Sequence, residues 1–274
     1  MVVFPNSKIN IGLNIIGKRN DGYHNIETVF YPIAIKDALE IIPFAASDTD
    51  IIFTSSGNPI FGNIDENLCA KGYRLLKKDF PEIPSVKMHL HKNIPMGAGL
   101  GGGSSDGTAM LLLLNKKFNL NISEEKLIEY ALMLGSDCPF FIINRPCFAE
   151  GRGEILNEIQ LDLSGYKLMI VHPGIHVNTA IAFAQFSTTP YSPAGSLHIA
   201  IQKDISEWKN LIKNDFENLV FDQNPQIKEI KTIMYENGAI YSSMSGSGST
   251  VFGIFPKDIN INIKFPSHYF CRIA

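Results

Sequence analysis

The residues best suited to chemistry in this chain of 274 residues lie in a glycine-rich segment near its middle. Six glycines fall within residues 97–107, and Ser104 and Ser105 lead from them into a helix-like stretch over Asp106–Lys117. Backbone without side chains can approach an anion closely, and the free N–H groups and dipole at a helix N-terminus favour negative charge. The segment therefore predicts a site for phosphate groups.

Two other nucleotide-binding patterns occur, and the surrounding residues exclude both. Gly12–Lys18 fits G-x-x-x-x-G-K, but Arg19 follows where a P-loop needs Ser or Thr for magnesium. Gly97–Gly102 fits the G-x-G-x-x-G fingerprint of dinucleotide-binding folds, which requires a buried parallel strand in front of it. The strand predicted over Val86–His91 instead alternates polar and apolar residues.

A second glycine-rich motif, Met244–Thr250, follows about 145 residues after the first. Pro95–Ser105 resembles the phosphate loop of the GHMP kinases (galactokinase, homoserine, mevalonate and phosphomevalonate kinases), and Met244–Thr250 resembles their C-terminal motif. The resemblance implies an ATP-dependent small-molecule kinase with an α+β, two-domain GHMP kinase fold. Its N-terminal lobe would resemble domain 2 of ribosomal protein S5, and its C-terminal lobe would be ferredoxin-like.

The resemblance also implies which residues bind ATP. Those expected near the phosphates are Pro95, Met96, Gly97, Ala98, Gly99, Leu100, Gly101, Gly102, Gly103, Ser104, Ser105, Gly246 and Gly248, and Asn67 is expected near the adenine. Mg²⁺ is expected as the counter-ion of ATP, because transferring phosphates need charge compensation. No pair of carboxylates indicates a dedicated metal site, so that Ser104 or Ser105 is the candidate magnesium contact.

Two residues are candidates for catalysis. Phosphoryl transfer to an alcohol needs phosphates held in line, charge stabilisation and a base for the hydroxyl. The resemblance places Asp137 as that base and Lys8 as its partner, which favours the ionised carboxylate. The residues alone favour simpler roles, in which Asp137 before Pro139 caps the next element and Lys8 is a solvated charge on a strand edge.

Further motifs of the resemblance imply an acceptor that is a cytidine-diphosphate sugar alcohol. They are Ser7–Asn10, Asp21–His24, Gly135–Phe141, Ala149–Glu154 and His172–Gly174. The residues expected to bind this substrate are Asn10, Tyr23, His24, Thr179 and Phe183. Tyr23 and His24 would stack on the cytosine and bond its edge, and Phe183 would cover the other side of the ring. The competing interpretation makes Phe183 a core residue of a helix over residues 180–186.

Hydrophobic periodicity and capping residues predict the elements that position these groups. Strands are expected at Lys8–Ile15, Ile26–Ile33, Ile51–Phe53, Val86–His91, Tyr166–Val171, Ala239–Met244 and Thr250–Phe255. Helices are expected at Asn67–Lys78, Asp106–Lys117, after Ser123 as far as Gly135, after Asn178, within Leu197–Val220, and from Pro225 to Gly238. Mixed rather than alternating elements predict an α+β chain. We expect an N-terminal nucleotide-binding domain over residues 1–153 and a C-terminal GHMP domain over 154–274, whose last residues could return to the first lobe.

Composition limits the alternatives. A net charge of −3, from 24 basic and 27 acidic side chains, argues against nucleic acid as the main partner. No apolar run approaches a membrane span, and the first residues lack the pattern of a secretory signal, so we expect a cytoplasmic protein, monomer or homodimer, without a membrane partner. The four cysteines are expected to be buried thiols. Two alternatives stay open: another kinase of the same family, acting on homoserine or mevalonate, and an RNA-binding module.

Overall fold

The computed structural model describes residues 1–45, 49–185, 192–193 and 195–274. Helices and strands are mixed, which confirms the α+β prediction. Contacts within the chain define two compact units: the first contains residues 1–7, 34–96 and 101–144, and the second contains residues 8–33, 97–100 and 145–274. The expected domain boundary after residue 153 stays a prediction.

The elements of the described residues are numbered here in chain order. The strands are β1 Val2–Val3, β2 Asn6–Lys18, β3 His24–Lys36, β4 Ala38–Pro43, β5 Ile51–Gly57, β6 Val86–Lys92, β7 Cys147–Glu150, β8 Ile155–Glu158, β9 Tyr166–His172, β10 Tyr241–Met244, β11 Val251–Pro256 and β12 Phe270–Ile273. The α-helices are α1 Leu68–Asp79, α2 Gly102–Phe118, α3 Glu124–Leu134, α4 Phe140–Ile143, α5 Thr179–Gln185, α6 Ser196–Ala200, α7 Trp208–Leu211, α8 Glu217–Gln223 and α9 Pro225–Glu236.

The first unit places helices on a four-stranded sheet of order β1-β4-β6-β5, in which only β5 and β6 run parallel. Alternation along β6 buries Met88 and Leu90, which join a core with residues of α1 and α2. These helices approach closely at Gly107, where an added Cβ would come within 2.7 Å of the Cβ of Leu68. Glycine at this position thus sets the start of α1 beside α2.

The second unit contains strands of two four-stranded sheets. Most of the sheet β2-β3-β7-β8 belongs to it, together with the whole sheet β10-β11-β9-β12. In the latter, β12 pairs with β9, so that the last strand of the chain stays within the second unit. This strand order, reached through the helical segment α8–α9, is that of a ferredoxin-like domain, as the resemblance implied.

Several predictions differ from the structure in instructive ways. The polar residues of β2 are buried as well as its apolar ones, because other segments of the chain cover both faces. Helix α2 begins at Gly102, four residues before the expected Asp106, so the glycines themselves form its first turn. The strands β4, β7, β8 and β12 carried no recognised pattern. The expected end of the α5 helix at Phe186 lies outside the described residues.

The cysteines are free, and Cys69, Cys138 and Cys147 are buried as expected, whereas Cys271, on the last strand of the chain, is only half-buried. Burial raises the pKa of the Cys138 and Cys147 thiols to about 11. No helix in the described part of the chain combines the length and apolar character that a membrane crossing needs.

Candidate functional site

Two glycine loops of the second unit are bonded to each other. The first glycine loop is residues 97–100, and the second is residues 244–250. Ser245 Oγ donates to the carbonyl oxygen of Gly99 at 2.8 Å, and the Thr250 N–H donates to the carbonyl oxygen of Ala98 at 3.3 Å. Gly99 has a φ of +77°, and a Cβ there would overlap the carbonyl oxygen of Ser245. Only glycine fits at this crossing.

Asn214 fixes the second glycine loop from the other side. Its amide Nδ2 donates to the carbonyl oxygens of Met244 and Gly246, both at 2.8 Å, and its Oδ1 accepts from the Phe216 N–H at 3.0 Å. Every polar atom of this buried side chain therefore bonds to backbone. Asn214 was not predicted, because an isolated asparagine between two helices carries no sequence signal for such a role.

Asn10 connects Lys8 with the loops. Thr28 Oγ1 donates to the carbonyl oxygen of Gly12 at 2.6 Å, so that it must accept from Asn10 Nδ2, at 3.0 Å. This orientation directs Asn10 Oδ1 to Lys8 Nζ, at 2.5 Å. The Asn10 N–H also donates to Ser245 Oγ at 3.0 Å. The second unit thus brings together predicted residues of the first strand and of both glycine motifs.

Lys8 is a buried cation rather than a solvated edge charge. Its side chain is 3% exposed, and Nζ lies 4.5 Å from the centroid of the Phe30 ring. The Lys8 N–H donates to the carbonyl oxygen of Leu100 at 2.9 Å, which joins the start of β2 to the end of the first glycine loop. Holding an ammonium group in this setting requires partners, and Asn10 is one of them.

A buried histidine supports the second glycine loop. Ser249 Oγ donates to the carbonyl oxygen of Ile175, which leaves His172 Nδ1–H to donate to Ser249 Oγ, at 3.1 Å. Burial, with His176 nearby, lowers the pKa of His172 to about 4. The imidazole is therefore neutral at neutral pH. His172 belongs to a sequence motif noted above, but its partner could be found only in the fold.

The aromatic residues expected at the substrate differ in exposure. His24 is buried and stacks on Phe183, with centroids 5.2 Å apart at 19°, while Phe183 also packs edge-on against Phe216 at 4.8 Å. Phe183 thus contacts both His24, another residue expected at the substrate, and the core residue Phe216, as the competing interpretation predicted. Burial, with Lys18 nearby, lowers the pKa of His24, and its Nε2 is buried without a hydrogen-bond partner among the described residues.

Tyr23 and Thr179 are the exposed members of this group. Tyr23 is 57% exposed, on a turn in which its N–H donates to Asp21 Oδ1 at 3.1 Å. Thr179 starts α5, and its hydroxyl lies 2.7 Å from that of Ser247 in the second glycine loop. Both side chains are therefore accessible to a ligand of the second unit.

The rest of the phosphate-loop motif belongs to the first unit. Gly101 is the left-handed N-cap of α2, with φ +68°, and as a glycine it has no side chain to cap the first turn of this helix. A Cβ at Gly103 would meet nothing within 4 Å. Ser104 is half-buried, whereas Ser105 is buried. Uncapped N–H groups beside open space fit a phosphate group, by the partial positive charge of a helix N-terminus.

A cavity of about 530 Å³ opens in the same unit. Its lining includes the predicted residues Asn67, Met96 and Gly103 and an apolar set of Phe53, Ile60, Phe61, Leu68 and Leu90. Asn67 itself caps α1, since its Oδ1 accepts from the Cys69 N–H at 2.9 Å. An apolar cavity next to a helix N-terminus is suited to a base and its attached phosphates.

Charged residues that sequence reasoning missed lie beside this cavity. Lys92, which is 2% exposed, bonds to Asp37 Oδ2 and, at 2.6 Å, to Asp106 Oδ2. Asp37 Oδ1 also accepts from the N–H groups of Asn93 and Ile94. Burial raises the pKa of Asp106 to about 7, although the charge of Lys92 acts in the opposite direction. Burial acts to lower the pKa of Lys92, but the charges of Asp106 and Asp37 outweigh it, so that this pKa is raised. Asp37, Lys92 and Asp106 are far apart in sequence, so no local pattern predicted that they form a cluster.

Asp137 lies in the short turn between the end of α3 and the start of α4. Helix α3 ends at Leu134, its Gly135 cap N–H donates to the carbonyl oxygen of Ala131, and Pro139 precedes α4. The next residue, Cys138, is buried, and its carbonyl oxygen accepts from Thr108 Oγ1 at 3.0 Å. Cys138, where an aliphatic residue is commoner in the resembled family, therefore packs inward while Asp137 stays half-buried.

The candidate residues are divided between the two units. Lys8, Asn10, Tyr23, His24, Thr179, Phe183, Gly97, Ala98, Gly99, Leu100, Gly246 and Gly248 belong to the second. Asn67, Pro95, Met96, Gly101, Gly102, Gly103, Ser104, Ser105 and Asp137 belong to the first. Within the residues described, no group of three or more His, Cys, Asp or Glu side chains could hold a metal ion.

Two family models match separate segments of the chain. The model of the GHMP kinases N terminal domain matches residues 67–145, and that of the GHMP kinases C terminal domain matches residues 197–264. The chain is 52% identical over 261 residues to 4-diphosphocytidyl-2-C-methyl-D-erythritol kinase of Bacteroides fragilis, which covers 95% of this chain and 94% of the relative. It is 50% identical over 272 residues to the protein of the same name from Bacteroides thetaiotaomicron, with coverage of 99% and 98%.

Solved structures agree. A crystal structure of 4-(cytidine 5'-diphospho)-2C-methyl-D-erythritol kinase is 30% identical, with a TM-score of 0.80 over 93% of this chain and 90% of that one. The mevalonate kinase of Methanococcus jannaschii has a TM-score of 0.68 over 94% and 91%, at 16% identity, which shows the shared fold alone.

Proposed function

Because this chain belongs to the GHMP kinase family and is a small-molecule kinase, we propose that it transfers the γ-phosphate of ATP to the 2-hydroxyl of 4-(cytidine 5'-diphospho)-2-C-methyl-D-erythritol. The products are ADP and the 2-phosphate, in a step of non-mevalonate isoprenoid biosynthesis. The bond from the 2-oxygen to the γ-phosphorus forms as the bond to the β-phosphate oxygen breaks, and the hydroxyl proton goes to a base.

One observation carries the choice of acceptor. His24, which follows the exposed Tyr23 in sequence, has a buried ring that stacks on Phe183, and its Nε2 has no hydrogen-bond partner among the described residues. An unpartnered buried polar atom is costly unless a ligand satisfies it, and the edge of a pyrimidine base supplies such a partner. Tyr23 offers the flat apolar surface on which a base stacks.

The ATP phosphates are assigned to backbone rather than to cationic side chains. The N-terminus of α2 offers uncapped N–H groups, and the first and second glycine loops offer backbone free of Cβ atoms. The cavity that Asn67 and Met96 line is the proposed place of the adenine. Mg²⁺ would neutralise the charge of the triphosphate, and Ser104, which is half-buried at the first turn of α2, is the residue proposed to contact it.

For the transfer itself, Asp137 is the proposed base and Lys8 the proposed cation. The turn between Gly135 and Pro139 restricts the backbone of Asp137, which limits the orientations from which its carboxylate accepts the hydroxyl proton. The orientation of Asn10 likewise holds Lys8 Nζ in one position, from which an ammonium group can stabilise a developing negative charge. Asn10 and Thr179 are proposed substrate contacts of the same unit.

An ADP-release assay with three acceptor alcohols tests the proposal. We expect turnover with 4-(cytidine 5'-diphospho)-2-C-methyl-D-erythritol and none with mevalonate or homoserine. Activity restricted to either of the latter would overturn the assigned acceptor while keeping the kinase. Phosphate should appear on the 2-oxygen of the product, which phosphorus NMR distinguishes from the other hydroxyl positions. Cytoplasmic location and a monomeric or homodimeric state are part of the proposal.

A further inference from the structure

Arg152 covers one face of the Tyr23 ring. The carbon at the centre of its guanidinium lies 4.9 Å from the ring centroid, within the range of a cation–π contact. The Tyr23 backbone is held independently, because its carbonyl oxygen accepts from the Arg19 N–H at 2.8 Å and its N–H bonds to Asp21. The turn therefore fixes the backbone of Tyr23, while Arg152 acts on the ring.

Arg152 forms an ion pair with Glu154, but its guanidinium Nε makes no hydrogen bond to that carboxylate. The nearest approach of its Nε to Glu154 is 3.6 Å, too long for a hydrogen bond, although the Arg152 backbone N–H does donate to Glu154 Oε2 at 2.5 Å. Nε is buried and has no hydrogen-bond partner in the part of the chain described. The side chain thus interacts with the charge of Glu154, and its guanidinium also lies over the ring of Tyr23.

The loop that carries Arg152 is anchored next to Tyr23. Gly151 and Gly153, with φ of +69° and +104°, allow a tight turn, and the Gly151 carbonyl oxygen accepts from the Ile26 N–H in β3 at 2.8 Å. Glycine on both sides thus presents Arg152 toward the start of β3, where Tyr23 lies.

We propose that Arg152 is a positioning residue, which holds the Tyr23 ring so that its uncovered face receives the pyrimidine base of the acceptor. The inference rests on the proposed function. A ring that is already ordered loses less side-chain freedom when the base stacks on it, so the gain appears in acceptor binding. Arg152 need not touch the acceptor, and ATP binding does not depend on it.

Steady-state kinetics of Arg152→Ala, Arg152→Lys and Arg152→Met test this. We expect Arg152→Ala and Arg152→Met to raise KM for the cytidine acceptor about 3- to 5-fold, the range for a cation over an exposed ring. The kcat and the KM for ATP should stay within about twofold, and Arg152→Lys should recover part of the loss. Arg272→Ala is the matched control, because the guanidinium of Arg272 lies 4.7 Å from the centroid of a different ring, that of Phe270 on β12. Arg272→Ala should change neither kcat nor the KM values for ATP and for the acceptor.

A double-mutant cycle with Tyr23→Ala separates positioning from direct contact. We expect Arg152→Ala to have no further effect on the acceptor KM once Tyr23 is gone. An equal increase in both backgrounds would mean that Arg152 contacts the acceptor itself, and an unchanged KM in the single variant would mean that it does nothing; either result overturns the inference. Absence of wild-type turnover with the cytidine acceptor would instead contradict the proposed function.

Discussion

The paired glycine loops of the second unit and the cavity of the first unit are built on different chemistry. The loops are held by neutral donors and acceptors: two hydroxyls, Ser245 and Ser249, the Asn214 amide and the imidazole of His172. The cavity borders a cluster of buried charges, Lys92 with Asp37 and Asp106. Neutral hydrogen bonds place backbone at small desolvation cost, whereas buried charges hold strongly only while all partners remain.

This difference suggests that the two units respond differently to substitution and to pH. In the loops, a misplaced backbone should reduce activity, because the proposed phosphate contacts are backbone groups. In the charge cluster, loss of a partner should reduce the stability of the fold. Each unit also supplies one proposed reacting group, Asp137 in the first and Lys8 in the second.

The largest effect is expected from those two groups. Asp137→Asn and Lys8→Met should each lower kcat about 10²- to 10⁴-fold, because a base or a charge that stabilises the transition state is lost. Single-turnover ADP release measures this, with circular dichroism to confirm folding. The exposed residues Asp258 and Lys257 provide the controls Asp258→Asn and Lys257→Met, which should retain activity. Near-normal kcat in either well-folded variant would remove that residue from the mechanism.

Next is the stability of the first unit. Lys92→Met leaves two buried carboxylates without their cation and should lower the free energy of unfolding by about 3–5 kcal/mol. Urea unfolding measures this change. Lys126→Met removes the exposed ion pair with Glu129 and should leave stability almost unchanged. Equal effects of both variants would show that the buried cluster has no special role.

Backbone crowding in the loops should affect activity more than stability. In Gly99→Ala the new Cβ would overlap the carbonyl oxygen of Ser245 at a φ of +77°, so both loops must shift. A displacement of about 1 Å would cost roughly 100-fold in kcat/KM. Gly165→Ala, where a Cβ meets nothing within 4 Å, is the control. Unchanged kinetics in Gly99→Ala would mean that the loops do not position phosphate.

The smallest effect, and the one that contrasts the units most directly, is pH dependence. Unfolded His172 binds a proton below about pH 6.5, but the folded residue does so only near pH 4, so its contribution to stability is lost as pH falls between these values. Asp106 has the opposite sign: its folded pKa of about 7 exceeds the unfolded value of 3.8, so stability falls as pH rises from about 4 to 7.

Unfolding titrations of His172→Asn and Asp106→Asn between pH 4 and 7 measure these contributions. His172→Asn keeps a donor for Ser249 and should remove a rise in stability with pH of at most about 3 kcal/mol, whereas Asp106→Asn should remove a fall. Changes of the same sign in the two variants would contradict the assigned protonation states.

Sequence patterns predicted the long elements better than the short ones. Helix α1 begins one residue after the expected start, and α3 lies between the expected Ser123 cap and Gly135, because capping residues act locally. The short strands β7, β8 and β12 went unnoticed, since four residues carry too little periodicity to be distinguished from loops. The predicted family and the kinase activity are confirmed by the relatives and the family models.

The division between sequence and tertiary structure is clearest among the site residues. By itself, the sequence determined where the two glycine loops lie, because glycine is the one residue type that leaves the backbone without a Cβ. It also supplied the candidates Lys8, Asp137, Tyr23 and His24 through resemblance. Only the tertiary structure decided that Lys8 is buried beside Asn10, that Lys92 joins Asp37 and Asp106, and that Arg152 lies over Tyr23. Such pairings depend on chain segments that are distant in sequence, and no local pattern records which of them meet.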